Sequence, residues 1–322
     1  MIEWAFILTP LLVLPIAFLF HFVGCADIAG LKDPEPVPQT EFPKPKVPKY
    51  RDYIMGKSNN PGSVRHPHIK PNANDITAYW RLVDTAASIE AIDEKGLQKG
   101  TYRTSTDPDT MPGGFIHNLP SLIDSDPTVP CRFFNGGYVV VPANDKLYHD
   151  EFTIEAWVLP GFSGNSEHTL FHAGGHYRAP FDSAAAYHGF RVFATGTPPS
   201  WQVSLAPGGD VFPSPPQIPP GETRTHLAVT VQNASPGGGS KTVTIFIDGK
   251  QTVQQTVGFS YSRPEGAPLL IGVMGDQSVP SDLEALPQPN VKQPMRSRIQ
   301  EVVLHRKVLS QEEIENHVDI NR

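Results

Sequence analysis

Alternation of apolar and polar residues constrains this chain more than any other feature. In Phe152-Thr153-Ile154-Glu155-Ala156-Trp157-Val158-Leu159, Phe152, Ile154, Ala156 and Val158 fall on one face and Thr153, Glu155 and Trp157 on the other. A period of two marks a half-buried strand. Phe133 to Pro142 is a second apolar run of strand length, separated from the first by the loop residues Ala143-Asn144-Asp145-Lys146. Lys241 to Ile247, then Asp248-Gly249, then Lys250 to Val257 predicts a hairpin, because Asp-Gly between alternating runs favours a type I′ turn. Further strands are expected at 76–82, 169–172, 189–194, 201–205, 225–232, 268–273 and 299–305. Ser310 with Glu313 three residues on is a capping-box pattern and predicts a short helix. Many short strands with almost no helix mean an all-β sandwich or barrel.

The first 74 residues do not share this pattern. Trp4 to Ala26 contains no Asp, Glu, Lys or Arg and is long enough to cross a bilayer core as a helix. It reads either as a retained transmembrane anchor or as a cleaved signal ending in Phe22-Val23-Gly24-Cys25, a lipobox-like string with Cys25 as the lipidated residue. Residues 1–32 are therefore expected to be a signal or anchor segment that places the body on the extracytoplasmic face of a membrane. Residues 33–74 carry nine prolines, several in Pro-x-Pro spacing, and predict an extended linker of polyproline type. Residues 75–322 form the folded domain. Net charge is −7 and no Lys/Arg cluster stands out, so nucleic acid is not an expected partner. Two cysteines, Cys25 and Cys131, exclude a disulfide framework, and Cys131 reads as a small buried hydrophobe.

The string Phe133-Phe134-Asn135-Gly136-Gly137-Tyr138-Val139-Val140-Val141-Pro142 followed by Phe152–Val158 resembles the laminin G-like, concanavalin A-like jelly-roll modules of bacterial surface proteins. Tyr79-Trp80-Arg81-Leu82 with Asp93, Gly96, Gly100 and Tyr102 resembles the opening motif. His226-Leu227-Ala228-Val229-Thr230, Ile245-Phe246-Ile247-Asp248-Gly249-Lys250 and Glu301 to Ile314 resemble three later ones, in the same order along the chain. The resemblance covers roughly residues 76–318. It implies a two-sheet antiparallel jelly-roll sandwich and an extracytoplasmic module that binds glycans or proteins, often with one structural calcium. Gln300 stands where the family usually has an acidic residue, and Thr225 where it often has Trp.

Candidate sites follow from residue chemistry. Tyr177, Arg178, Phe181, Asp182 and Tyr187 lie in one loop, and aromatic side chains beside polar groups suit sugar faces and protein hot spots. Calcium needs hard oxygen ligands, for which Asp93 and Asp276 are the candidates among the loop acids. His168, His172, His176 and His188 lie close in sequence; three imidazoles can hold zinc, but they read first as polar rim residues. No second acid is spaced two residues from Glu155, so the paired carboxylates of a retaining glycosidase are missing and the chain is not expected to be an enzyme. The expectation is a membrane-anchored module for a glycan or a surface protein, the alternatives being a structural subunit of an envelope or virion complex, or a hydrolase with a non-standard site.

Overall fold

The computed structural model describes residues 49–58, 64–104, 114–161, 166–177, 186–206, 209–212, 216–218, 223–237, 239–258, 261–264, 266–275 and 291–321. By its contacts the chain divides into Met1–Lys44 and Pro45–Arg322, and the second unit holds every described element. A short helix, α1 (Tyr50–Ile54), comes first, followed by β1 (Ile76–Trp80), β2 (Glu90–Ala91), β3 (Gly100–Thr104) and β4 (Phe115–Leu119). Next are β5 (Cys131–Asn135), β6 (Gly137–Val141), β7 (Phe152–Pro160), β8 (His168–Tyr177), β9 (Ala186–Thr195), β10 (Ser200–Leu205) and β11 (Gly209–Asp210). The last are β12 (Thr225–Asn233), β13 (Lys241–Ile247), β14 (Lys250–Val257), β15 (Leu269–Ile271), β16 (Met274–Gly275), β17 (Val291–Lys292), β18 (Arg296–His305) and α2 (Gln311–Asp319).

Two antiparallel sheets result, as the alternation requires. Sheet A runs β14-β13-β12-β7-β18-β5-β4, with β1 also on β18, and sheet B runs β11-β10-β9-β8-β15-β6-β3-β2. Phe152, Ile154, Ala156 and Val158 of β7 meet Val139, Val141, Phe171, Val192, Trp201 and Leu269 in one core between the sheets. Burying each such large side chain stabilises the fold by about 1.5–3 kcal/mol. The Asp248-Gly249 hairpin forms as expected, with both turn residues at positive φ. Ser310 and Glu313 exchange the reciprocal bonds of a capping box at the start of α2.

Three local expectations need correction. The run Phe133–Val141 is not one strand. Gly136, at φ +85°, bends the chain so that β5 joins sheet A and β6 joins sheet B. A Cβ on the next residue, Gly137, would lie 2.6 Å from the Gly114 carbonyl oxygen and from the Phe115 ring. The strand β7 is buried on both faces rather than one. The reason is the third correction, to the linker. Tyr50, Tyr53, Ile54 and Val64, expected in an extended spacer up to residue 74, are buried with Trp157, Val303 and Val318 on the outer face of sheet A. Arg65 pairs with Glu315 at 2.9 Å and with Asp319 at 3.4 Å of α2, and the His66 N–H donates to Asn316 Oδ1 at 2.8 Å. Aromatic and aliphatic residues at 50, 53 and 54 have enough apolar area to dock a one-turn helix despite the surrounding prolines. No helix among the described residues is long and apolar enough to cross a membrane, and the apolar run 4–26 and Cys25 lie outside them.

Candidate ligand-binding face

The outer face of sheet A is closed by α1 and α2, which leaves sheet B. Register carries one row across its outer face: Thr101, Val140, Leu270, His172, Arg191, Ser204 and Asp210 are successive cross-strand partners. The row changes character at β8. Val140 and Leu270 cluster with Tyr138, Val273 and Val291 under the β16–β17 pair. On the far side the Arg191 guanidinium carbon sits 3.8 Å from the centre of the Phe193 ring, and the group donates to Thr169 Oγ1 at 3.0 Å and pairs with Glu167 at 2.6 Å and with Gln293 Oε1. The cation–π contact and the three polar partners fix the guanidinium.

The roots of two long loops meet on this face. Gly275, at the end of β16, donates its N–H to His172 Nδ1 at 3.2 Å, which makes that nitrogen the acceptor. Two residues further along β8, the β8–β9 pair leaves the sheet. β15 accompanies β8 only to Ala173 and β10 pairs with β9 only to Phe190; beyond them Gly174–Tyr177 pair with Ala186–Gly189, and Gly189 also bonds the Ser262 carbonyl and the Ala206 N–H. The ribbon overhangs because of glycine. Gly189 sits at φ +102°, and a Cβ there would lie 1.8 Å from the Ala173 carbonyl oxygen. Only glycine lets the two backbones approach this closely where the ribbon leaves the sheet.

The expected ligand residues map onto this ribbon in part. Tyr177 pairs with Ala186, and Tyr187 with His176, at its end. Arg178, Phe181 and Asp182 lie outside the described residues, as does Asp276. Of the histidine run, His168 and His172 do not share a face, and the side chains of His176 and His188 lie outside the described residues. A bulge between Thr169 and Phe171 places His168 opposite Ala194 of the core and His172 opposite Arg191 of the outer face. The two imidazoles that a regular strand would align are thereby set on opposite sides. His168 Nδ1 instead contacts the Pro294 carbonyl oxygen at 2.9 Å, and burial holds this imidazole below its ordinary pKa.

Asp93 does not fit a calcium ligand. It is buried, and its Oδ1 accepts the N–H groups of Tyr79 (2.8 Å) and Lys95 (3.0 Å). Its Oδ2 accepts those of Leu97 (2.9 Å) and Gln98 (2.8 Å). Both oxygens face hydrogens, and the carboxylate shapes the β2 turn. Gln300, at the position usually acidic in the family, likewise serves a loop: its Oε1 accepts the Leu122 N–H at 2.8 Å. The adjacent Glu301 takes the extra position of a β-bulge at φ +56°, held by Arg81 at 3.0 Å and by the Tyr79 hydroxyl.

That bulge builds a polar centre that sequence spacing does not reveal. It shifts β18 by one residue against β7, so that His305 faces outward beside Glu155 instead of into the core. His305 pairs with Thr153 and His226 with Trp157, two residues to either side of Glu155. Residues diagonal across strands are within reach of long side chains. His317 descends from α2. Glu155 Oε1 lies 3.0 Å from His305 Nε2 and 2.9 Å from His317 Nδ1, and Oε2 lies 3.3 Å from His226 Nε2. Burial opposes ionisation, but the charge of His317 and the bonds from the three rings hold the Glu155 carboxyl well below its ordinary range.

No curated relative matches the chain. Among solved structures, the Trypanosoma rangeli sialidase bound to 2,3-difluorosialic acid shares 14% identity at a TM-score of 0.51, over 83% of this chain and 36% of that one. The receptor binding domain of botulinum neurotoxin C/D mosaic serotype shares 10% at 0.50, over 76% of this chain and 51% of that one. Domain 4 of an extracellular arabinanase from Geobacillus stearothermophilus, in complex with arabinotriose, shares 17% at 0.47, over 77% and 98%. At such identities the likeness concerns the fold alone, and this chain spans about a third of the sialidase and half of the toxin domain. A laminin G-type family model matches residues 134–315, more than half of the chain, and the chain belongs to the concanavalin A-like lectin/glucanase superfamily.

Proposed function

We propose that this chain is a non-catalytic glycan-binding module held at the extracytoplasmic face of a membrane by its first 32 residues. The observation that carries this proposal is the meeting of two loop roots at His172, beside the fixed Arg191 guanidinium on the open face of sheet B. Planar donors at the root of a segment that carries Tyr177, Phe181 and Tyr187 in its sequence match a sugar, which offers hydroxyls at its rim and an apolar face. Binding is favoured over hydrolysis because Glu155 and Glu301 are wholly buried and already engaged by histidines and by Arg81. The membrane address rests on the charge-free run Trp4–Ala26.

A glycan array probed with the full chain tests this. Saturable binding to a defined class of oligosaccharide is expected, weakened roughly tenfold or more by Tyr187→Ala or Arg178→Ala. Flat signals across the array, together with a protein that co-purifies in stoichiometric amount, would replace a sugar ligand with a protein one. Turnover of a bound polysaccharide would overturn the non-catalytic assignment.

A further inference from the structure

Glu155 and its three histidines lie under α2, on the side of sheet A remote from the proposed ligand face, and the proposed function makes no use of them. All four side chains are buried, with Glu155 and His226 fully so. Their donor atoms converge: 2.9 Å from Glu155 Oε1 to His317 Nδ1, 3.0 Å to His305 Nε2, and 3.3 Å from Oε2 to His226 Nε2. A tetrahedral zinc ion with ligands at about 2.0–2.1 Å holds its donors roughly 3.3 Å apart. The carboxylate-to-imidazole distances are close to that spacing, and the donor atoms of Glu155, His305 and His317 all lie within 4.8 Å of one another.

Hydrogen bonding alone leaves the cluster incomplete. His226 is fully buried, yet its Nε2 meets the carboxylate only as a loose 3.3 Å contact and its Nδ1 has no hydrogen-bond partner. Buried polar nitrogens without partners are rare, and each asks for an explanation. A cation between the rings and the carboxylate would engage Nε2. It would also require His305 and His317 to carry their protons on the far nitrogens. Those two rings wall a cavity of about 10 Å³ shared with Asn72, Asp75 and Glu313. That is room for about one water between the rings and two carboxylates, the kind of acceptor that a ligating imidazole needs for its other N–H.

We propose that Glu155, His305 and His317, with His226 beside the carboxylate as a fourth imidazole, form a buried structural site for one divalent transition metal of the zinc class. Imidazole donors select zinc and its neighbours over calcium or magnesium, which take oxygen. Burial of all four side chains makes the role structural. The ion joins β7, β12, β18 and α2, whose ligands are far apart in sequence, and so clamps α2 onto sheet A. α1 is seated in the same layer, with Tyr53 packed edge-on against the His317 ring.

The test uses the full chain. Metal analysis of protein purified without added metal or chelator, then stripped and reloaded with zinc, is expected to give one equivalent per chain. Stripping is expected to lower Tm by about 5–10 °C, restored by zinc or cobalt. Cobalt loading should give the visible absorption of a tetrahedral site, and His317→Ala should abolish it, whereas the control His66→Ala with His68→Ala should keep it. X-ray absorption of the zinc form needs no variant and should show an N/O shell containing imidazole and no sulfur. Less than a tenth of an equivalent after reloading, an unchanged Tm, or a shell containing sulfur would overturn the site. So would cobalt binding that persists in folded His317→Ala.

Discussion

Replacing Asp93 with Asn is the sharpest perturbation of the fold, because the substitution changes one atom and little volume. The carboxylate accepts four backbone N–H groups, two on each oxygen. Asn keeps the pair from Tyr79 and Lys95 on its remaining oxygen. Its amide NH2 must then face the N–H groups of Leu97 and Gln98, donor against donor. Bonds to a charged acceptor contribute about 1.5–3 kcal/mol each, and two are lost. Leu97 is exposed, so water relieves part of the cost at that N–H. The net expectation is a loss of about 3 kcal/mol, near the lower limit for two such bonds. For a domain of this size that lowers Tm by about 6–12 °C. The turn also seats Trp80, whose indole N–H donates to the Gln98 carbonyl at 2.6 Å, so near-ultraviolet circular dichroism should change with it. Urea unfolding of the full chain measures the loss. A change under about 1 kcal/mol, or calcium that stabilises the wild type and not Asp93→Asn, would refute the assignment of Asp93 to the turn.

Three further outcomes follow from other parts of the molecule. Burial pushes the Cys131 thiol up to about 11, so in a Cys25→Ser background it should stay unreactive toward a disulfide reagent at pH 8 until the chain is unfolded. Hydrogen bonds from Arg224 hold the Asp124 carboxyl below its ordinary range against partial burial. A depressed folded pKa contributes stability above the unfolded value of about 3.9 that is lost as pH falls through the folded value. Asp124→Asn should therefore flatten the acid limb of the stability curve, by less than about 1 kcal/mol because the pair is solvent-exposed. Ile54→Ala should cost about 2–4 kcal/mol in urea, since this side chain is fully buried against sheet A, whereas a free spacer would show no change.

Features carried by local pattern were legible in the sequence. The strand β7, the Asp248-Gly249 turn and the Ser310–Glu313 box each depend on neighbours within a few residues, and each formed, although β7 is buried on both faces where alternation marks one. Features that depend on register or tertiary docking were not. The helix at Tyr50–Ile54 has five residues and no side-chain cap, too short for periodicity to show. His226, His305 and His317 are separated by 79 and then 12 positions in the sequence. Only a bulge at Glu301 turns His305 to the face of Glu155, and a one-residue register shift has no signature in composition. The bulge at Thr169–Phe171 acts in the opposite sense and separates His168 from His172. The resemblance located the sandwich correctly, and Asp93 and Gln300 show how positions of a shared motif become loop anchors in this chain.

The ligand face is the central claim, and hydrogen exchange of the full chain with and without a saturating oligosaccharide identified on the array tests it most directly. The account predicts slowed exchange confined to peptides spanning 172–191 and 273–293, with sheet A and α2 unchanged. Protection concentrated on β12–β14 or α2, with residues 172–191 exchanging as in the free chain, would contradict it.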